Sequence, residues 1–242
     1  MSRITTPASI DASPVAAQPL LVAVKKQLGS VPNLFRIIGN SPAALDGYLG
    51  LNGALGKGAL DGKTRERIAL AVAELNGCSY CLSAHSYLGA HVAKLDPAEL
   101  NANRDGASAD PKADAALRFA TQLVRERGHV SAADVDAVKA AGYGDAEVVE
   151  IVAHVALNTL TNYINSALDT DVDFPKVEAR AAYTGQCAVA ISMGERVPSD
   201  ATSVTRHDGR TFRFSSPEAK AMFDAAPATY ITKADANWPR LR

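Results

Sequence analysis

The chain has 242 residues, a formal net charge of −1 at pH 7 and 47% hydrophobic residues, values typical of an ordinary globular protein. The balanced charge does not indicate a nucleic-acid or acidic-membrane partner, and no apolar run approaches the length of a membrane span. The amino-terminal segment lacks the pattern of a secretory signal, and three cysteines do not suggest a disulfide framework, so we expect a cytoplasmic protein.

Residues 1–16 are rich in Ser, Thr, Pro and Ala and are predicted to form a lead-in. From residue 17 onward, apolar residues recur at helical spacing between capping residues and glycine stops. These signals predict helices at about 20–28, 33–39, 42–56, 62–76, 78–95, 97–102, 113–126, 132–142 and 145–168. No convincing strand interrupts them, so we predict an all-α helical bundle over residues 17–175.

The character of the sequence changes after Lys176, and we predict a domain boundary near 175–185 with a helical linker at 177–182. Beyond it, residues 210–214 alternate in polarity and follow His207-Asp208-Gly209, a hairpin turn signal. A further helix is predicted to begin at Pro217 and reach Phe223. Residues 183–242 are therefore predicted to form a small α+β domain.

Two of the three cysteines, Cys78 and Cys81, lie three residues apart at the start of a predicted helix. Residues at i and i+3 share a helix face, so the two thiols can form a disulfide with little movement of the backbone. Gly77 interrupts the chain just before them, and the free amides and positive dipole of a helix start favour a thiolate. In a reducing compartment such a pair indicates a redox or metal-binding role.

A histidine and a glutamate accompany the cysteines. His85 follows Cys81 at i+4, where it can take the thiol proton directly or through a water molecule. Glu66 lies on the preceding helix and would orient His85 or receive its proton if the two helices pack antiparallel; Glu74 is the competing carboxylate. This spacing favours Cys81 as the attacking thiolate and Cys78 as the resolving thiol. The helix dipole alone favours Cys78, so the residues leave this assignment open.

Zinc binding is a weaker interpretation of the same residues. Cys78 and His85 are about 10 Å apart along a helix, whereas zinc ligands lie only ~2.0–2.3 Å from the ion. No second Cys-x-x-Cys pair and no nicotinamide, flavin or haem signature occurs, so no cofactor is expected. Asn158, Asn162 and Asn165 form a polar stripe on the last long helix. Such a stripe is suited to lining a pocket or an interface, but we favour the interpretation as a buried hydrogen-bonded seam.

The pattern of Glu66, eleven residues, Cys78-x-x-Cys81, three residues and His85 resembles the alkylhydroperoxidase D-like branch of the carboxymuconolactone decarboxylase family. The similarity covers about residues 17–175 and includes Val31-Pro32-Asn33-Leu34-Phe35, Ser41-Pro42-Ala43-Ala44-Leu45, Arg65-Glu66-Arg67-Ile68-Ala69, Thr161-Asn162-Tyr163 and Asp173-Phe174-Pro175. It implies an all-helical homo-oligomer, commonly a trimer or hexamer.

The resemblance also implies peroxidase activity through a disulfide cycle. Carried onto this chain, it makes Cys81 the peroxidatic cysteine and Cys78 the resolving one, and it places His85 and Glu66 in the proton relay. The best-known member has a second histidine between its cysteines, where this chain has Tyr80. The decarboxylase branch generally lacks the cysteine pair, so lactone decarboxylation is not expected.

The tail, at about 183–238, resembles a YHS-type domain. The matching residues are Cys187, Gly209, Phe212, Phe214, Ser215, Phe223, Pro227 and Tyr230. Metal-binding members have a Phe-Cys-Ser-x-x-Cys run, but the corresponding residues 212–220 contain no cysteine. A packing or interface role is therefore expected for the tail, and no metal.

The leading hypothesis is a thiol peroxidase that reduces a hydroperoxide substrate and is itself reduced by an external dithiol. One alternative is a thiol–disulfide relay that exchanges with dithiols but consumes no peroxide. A non-enzymatic alternative is a zinc-binding or redox-sensing interaction protein, which stoichiometric zinc in the purified protein would favour.

Overall fold

A computed structural model describes residues 2–180, 182–208 and 210–241. The chain divides into two compact units, the first ending at Glu178 and the second beginning at Ala179. No helix in the described part of the chain combines the length and apolar character that crossing a bilayer requires.

All regular secondary structure in the described residues of the first unit is helical, which confirms the predicted all-α class. A short 3-10 turn at Val15–Ala17 precedes the first α-helix. The α-helices are α1 Gln18–Leu28, α2 Asn33–Ile38, α3 Pro42–Leu55, α4 Gly62–Leu75, α5 Ser79–His91, α6 Pro97–Arg104, α7 Pro111–Arg125, α8 Ala132–Ala140 and α9 Asp145–Leu168.

Side-chain caps set the beginnings of several of these helices. The Ser41 hydroxyl accepts a hydrogen bond from the Ala44 amide at 3.3 Å, and an Asp61 carboxylate oxygen accepts one from the Thr64 amide at 3.0 Å. Each cap satisfies an amide that has no partner inside its helix. This local chemistry explains why the starts of α3 and α4 can be predicted from the sequence.

The end of α5 differs from the prediction. The helix ends at His91 rather than near Leu95, and Lys94 adopts a left-handed conformation with φ of 56°. The Leu95 amide then donates to the Gly89 carbonyl at 2.9 Å, and Leu95 becomes 6% exposed. Burial of Leu95 against the preceding turn therefore ends the helix early. The predicted helical linker at 177–182 is also wrong, because residues 177–180 have no helical structure.

Helix α4 is the central element of the first unit and contacts α5, α6, α7 and α9. Its residues Ile68, Leu70 and Val72 have no exposed surface. Gly77, with φ of 64°, turns the chain immediately after α4, and the Cys78 amide donates to the Ala73 carbonyl at 2.9 Å. This tight turn sends α5 back along α4.

The two ends of the helical unit are joined by hydrogen bonds. The Arg3 amide in the lead-in donates to the Leu168 carbonyl at the end of α9, at 2.7 Å. The Asp173 carboxylate accepts from the Asn33 amide at 2.8 Å and from the Tyr80 hydroxyl at 2.8 Å. The segment after α9 is thus fixed to the beginnings of α2 and α5.

The second unit contains both strands and helices, as predicted. It consists of a 3-10 turn at Ala182–Gly185, α10 Ala188–Ser192, β1 Asp200–His207, β2 Arg210–Phe214, α11 Pro217–Ala225 and α12 Pro227–Leu241. The strands pair antiparallel, with Thr205 opposite Phe212, and Phe212, Phe214 and Phe223 form the core. Gly209, part of the predicted turn signal, lies outside the described residues.

Candidate active site

The Cys78–Cys81 pair lies at the amino terminus of α5. Cys78 is the N-cap residue, and its sulfur accepts a hydrogen bond from the Cys81 amide at 3.3 Å. Both cysteines are free thiols, and their sulfur atoms lie 2.8 Å apart. They are 2% and 3% exposed, respectively. The turn at Gly77 and the helix start therefore hold a reduced dithiol in one buried position.

The surroundings separate the acidities of the two thiols. A hydrogen bond from the Cys81 thiol lowers the pKa of Cys78 against the effect of burial, with help from the Cys81 amide, Ser166 and the charge of His85. Burial raises the pKa of Cys81, and the hydrogen bond with Cys78 and the charge of Cys78 raise it further. The surroundings therefore make Cys78 the more acidic of the two thiols.

His85 and Glu66 form a direct pair between α5 and α4. The Nδ1 atom of His85 lies 2.8 Å from Oε2 of Glu66, and both side chains are about four-fifths buried, at 22% and 23% exposed. Burial opposes protonation of His85, but the charge and hydrogen bond of Glu66 outweigh it, so the pKa of His85 is raised. The charge of Cys78 contributes in the same direction. Glu66 therefore holds the imidazole and stabilises its protonated form.

The competing carboxylate has a different partner. Glu74 accepts a hydrogen bond from Nε of Arg104 at 2.6 Å, and both side chains are nearly buried. The arginines beside Glu66 are also engaged: Arg67 pairs with Glu99 at 2.8 Å, and Arg65 donates to the Leu55 carbonyl at 3.1 Å. Residues 65–67 are therefore a set of individually placed contacts rather than a solvated run of charges.

Two asparagines of α9 complete the surroundings of the dithiol. Asn165 donates from Nδ2 to the Cys81 sulfur at 3.3 Å, and Asn162 accepts from Nδ2 of Asn76 at 2.9 Å. The hydrogen bond from Asn165, together with the nearby carboxamide of Asn162, partly opposes the rise in the pKa of Cys81 that burial causes. The sequence-based interpretation as a seam missed Asn165 as a site residue. The stripe of asparagines was the signal that could have identified it.

Tyr48 on α3 is a second site residue that the sequence pattern missed. Burial raises the pKa of Tyr48 to about 12, with further contributions from the charges of Cys81 and Glu66. Its ring packs edge-on against Phe35, with centroids 6.0 Å apart. The phenol therefore stays protonated beside the dithiol. The helical periodicity of α3 predicted that Tyr48 faces the core, but not that it lies near the cysteines.

Tyr80, between the two cysteines, has a structural role. Its hydroxyl accepts from the Leu34 amide at 3.1 Å and donates to Asp173 at 2.8 Å, and its ring packs edge-on against Phe174. These contacts connect α5 to α2 and to the segment after α9. Tyr80 thus belongs to the framework of the site and not to its proton path.

Potential metal ligands are not clustered in the part of the chain that the structure describes. Within 2–180, 182–208 and 210–241, no three His, Cys, Asp or Glu side chains are grouped so that they could hold a metal ion. The third cysteine, Cys187, lies in the second unit, where its sulfur accepts a hydrogen bond from Ser215 at 3.4 Å.

The segment that carries the dithiol, His85 and Glu66 corresponds to a known family. Residues 42–122 match the carboxymuconolactone decarboxylase family. This match confirms the resemblance for the central part of the helical unit. No curated protein matches the chain, and the YHS-like resemblance of the tail stays a prediction.

Solved structures extend the likeness to most of the helical unit. An uncharacterized peroxidase-related protein from Ralstonia eutropha JMP134 with an alkylhydroperoxidase AhpD core is 25% identical, with a TM-score of 0.64, and the alignment covers 71% of this chain and 92% of that one. A peroxidase-related protein from Silicibacter sp. TM1040 is 24% identical, with a TM-score of 0.62 and coverage of 70% and 91%.

A debrominase shares the same fold. The debrominase Bmp8, in a cysteine-to-alanine variant bound to 2,3,4-tribromopyrrole, is 22% identical with a TM-score of 0.59, over 72% of this chain and 94% of that one. At this identity, the likenesses to Bmp8 and to the Silicibacter protein show the fold alone. The helical unit therefore has a fold that peroxidase-related proteins and a debrominase share.

Proposed function

We propose that this protein is a thiol-dependent peroxidase that reduces hydroperoxides through a Cys78–Cys81 disulfide cycle. One observation carries the proposal: a free, buried dithiol with sulfurs 2.8 Å apart lies at a helix start, beside the paired His85 and Glu66. Two thiols this close supply both the attacking and the resolving sulfur, and the histidine–carboxylate pair supplies a path for their protons.

The thiolate of Cys78 acts as the base for Cys81 in this mechanism. Because the sulfurs are within hydrogen-bonding distance, Cys78 accepts the Cys81 proton as Cys81 attacks. Cys78, which has the lower pKa, thus takes up the proton in the same step in which Cys81 attacks the peroxide. The protonated His85, stabilised by the Glu66 carboxylate, gives a proton through a water molecule to the departing alkoxide and takes up the Cys78 proton in its place.

The chemical steps balance as follows. The Cys81 sulfur bonds to the terminal oxygen of R–O–O–H, the O–O bond breaks, and the alkoxide leaves and takes a proton to become an alcohol. The Cys78 thiolate then attacks the Cys81 sulfenic acid, which forms the disulfide and releases water after protonation. An external dithiol reduces the disulfide by two exchange steps and is itself oxidised.

The test is turnover of an organic hydroperoxide with a dithiol reductant. Wild type and Cys187→Ser should turn over equally, because Cys187 lies in the second unit, whereas Cys81→Ser should fall to the background rate. In Cys78→Ser, a 1,3-dicarbonyl reagent should capture a sulfenic acid on Cys81. Capture on Cys78 in the Cys81→Ser variant would reverse the two roles.

The same preparation separates the alternative functions. Rapid dithiol exchange without peroxide consumption would replace the peroxidase by a thiol–disulfide relay. If the purified protein holds one equivalent of zinc, and variants without Cys78 or Cys81 do not, the zinc-binding alternative would replace the peroxidase.

We also propose that the protein is a homo-oligomer and that α9 contributes to the contact. Val149, Val152, Leu160 and Tyr163 are 67%, 43%, 44% and 63% exposed. At helical spacing these four residues share one face of α9, opposite the face that bears Asn158 and Asn165. A second copy of the chain is the occupant that the family resemblance implies for this apolar face.

A further inference from the structure

The carboxamide of Asn165 uses only one of its two polar atoms. Nδ2 donates to the Cys81 sulfur at 3.3 Å, whereas Oδ1 is buried and has no hydrogen-bond partner in the described part of the chain. The residue is 3% exposed. A buried carbonyl oxygen without a donor is unfavourable, and in native proteins such an atom normally has a protein, water or ligand partner.

The position of this oxygen restricts what can pair with it. Oδ1 and Nδ2 are bonded to the same carbon, and Nδ2 contacts the Cys81 sulfur, so Oδ1 lies beside that sulfur. An O–H group brought against the sulfur is therefore within reach of Oδ1. A hydroperoxide carries such a hydrogen on its terminal oxygen, the atom that reacts, and the sulfenic acid product carries one on the oxygen it has gained.

We propose that Asn165 is the oxygen-binding catalytic residue of the site. Its Nδ2 holds the Cys81 sulfur, and its Oδ1 accepts the O–H of the bound hydroperoxide and then the O–H of the Cys81 sulfenic acid. This inference rests on the proposed peroxidase function. It extends that function by requiring a substrate peroxide with at least one free O–H group.

The role of the amide differs between the two stages of the reaction. During attack, the S–O bond forms and the O–O bond breaks, while Oδ1 orients the terminal oxygen towards the sulfur. After attack, the sulfur has been oxidised by two electrons and the alcohol has left. Oδ1 then holds the sulfenic acid proton, which keeps the S–O–H group in one orientation until Cys78 attacks the sulfur.

The experiment uses a parent in which the resolving cysteine is absent, Cys78→Ser in the full chain, treated with an excess of hydrogen peroxide. The excess offsets the loss of the Cys78 base, and the sulfinic acid needs a second equivalent of peroxide. Intact-protein mass spectrometry follows the species with one added oxygen, the sulfenic acid, and the species with two, the sulfinic acid. Adding Asn165→Leu should slow sulfenic acid formation by roughly 10- to 100-fold, as expected for lost hydrogen bonds to a charged or reacting group. It should also raise the ratio of sulfinic to sulfenic acid.

The matched control is Asn158→Leu in the same parent. Asn158 is also a buried asparagine of α9, but its Nδ2 donates to the His154 carbonyl at 2.8 Å, within its own helix. This variant should keep the parent's rate and product ratio. Equal rates and ratios for Asn165→Leu and Asn158→Leu would overturn the inference.

A second variant separates the donor from the acceptor and serves if Asn165→Leu does not fold. Asn165→Asp keeps an oxygen acceptor of the same size but replaces the N–H donor by a negative charge beside the thiolate. It should slow formation of the sulfenic acid but leave the lifetime of that species at least as long as in the parent. A formation rate equal to the parent's would also overturn the inference.

The outcomes distinguish this inference from the function on which it rests. If the wild-type protein forms no Cys78–Cys81 disulfide when it is treated with peroxide, the peroxidase function fails and the role of Asn165 fails with it. If the parent is oxidised and both Asn165 variants match it, the peroxidase function stands and only the role of Asn165 is rejected.

Discussion

Glu66 and Glu74 lie on the same helix near the dithiol, yet only one of them contacts the imidazole. Glu66 pairs with His85 at 2.8 Å, whereas Glu74 pairs with Arg104 at 2.6 Å. The two glutamates are therefore a natural matched pair for measuring what a carboxylate contributes to His85.

Replacing Glu66→Gln should lower the pKa of His85, because the charge that favours the imidazolium is lost while burial still opposes it. Glu74→Gln should leave that pKa unchanged. An NMR titration of the His85 ring resonances measures both variants. Equal His85 titrations in wild type and Glu66→Gln would contradict the pairing.

The pair of His85 and Glu66 should also make the stability of the fold depend on pH. Since the folded-state pKa of His85 is above its unfolded value, the stabilisation is complete below the unfolded pKa and is lost as pH rises through the folded pKa. The difference in the free energy of unfolding between wild type and Glu66→Gln should therefore decrease as the pH is raised.

Tyr80→Phe should weaken the fold without impairing the thiols. The change leaves the buried Leu34 amide and the Asp173 carboxylate without the phenol hydroxyl, which costs roughly 1–3 kcal/mol. Urea unfolding measures the loss, with Tyr163→Phe as the control, since Tyr163 is 63% exposed. A large fall in thiol alkylation rate at unchanged stability would instead place Tyr80 in the proton path.

At the scale of elements, a buried charge network attaches α4 to α6 and to the loop that follows it. Glu99 on α6 pairs with Arg67 on α4 at 2.8 Å and accepts hydrogen bonds from Asn103, Ser108 and the Ala109 amide. Burial raises its pKa, but the hydrogen bonds of Ser108, Asn103 and Ala109 and the charge of Arg67 lower it to about 2.

This network should make stability depend on acidity. Because the folded pKa of Glu99 is below its unfolded value, its stabilisation is present above the unfolded pKa and is lost as pH falls through about 2. The stability difference between wild type and Glu99→Gln should shrink by about 2 kcal/mol between about pH 6 and pH 3. Urea unfolding at both pH values measures it.

The exposed Glu126 is the control for this prediction. Glu126→Gln should show the same small difference from wild type at both pH values. A Glu99→Gln difference that does not change with pH would contradict the proposed cause.

Local chemistry determined which elements could be predicted from the sequence. The predicted bounds of α9 agree with the structure, and Ser131 and Asp134 form a capping box at the start of α8 that is local to the sequence. The predicted end of α5 was wrong. The helix ends where it does because Leu95 is buried, and this tertiary contact is not visible in the local sequence. Strand β1 was not predicted at all, since its pairing partner and not its own pattern defines it.

The same distinction applies to the candidate site. The dithiol, His85 and Glu66 follow one another closely along α4 and α5, so spacing alone indicated that they meet. Asn165 is 84 residues from Cys81 along the chain, and only packing of α9 brings them into contact. The catalytic roles of all these residues stay predictions until the variants are measured.

At the scale of the whole molecule, the exposed apolar face of α9 makes the assembly testable. Leu160→Asp should convert the oligomer into monomers, because a charge at the centre of an apolar contact is costly to desolvate. Sedimentation velocity measures the change. Val22→Asp, at an exposed position of α1, should leave the oligomer intact. A monomeric wild-type protein would contradict the proposal outright.

Asp173 is translated after both of the residues to which it is hydrogen-bonded. Asp173 lies 140 residues after Asn33 and 93 after Tyr80, and it holds both. Both cysteines are translated before α9 and Asp173, so the growing chain contains the thiols before it contains Asn165, which contacts the Cys81 sulfur in the folded protein. The complete surroundings of the dithiol can therefore assemble only after residue 173 has been added.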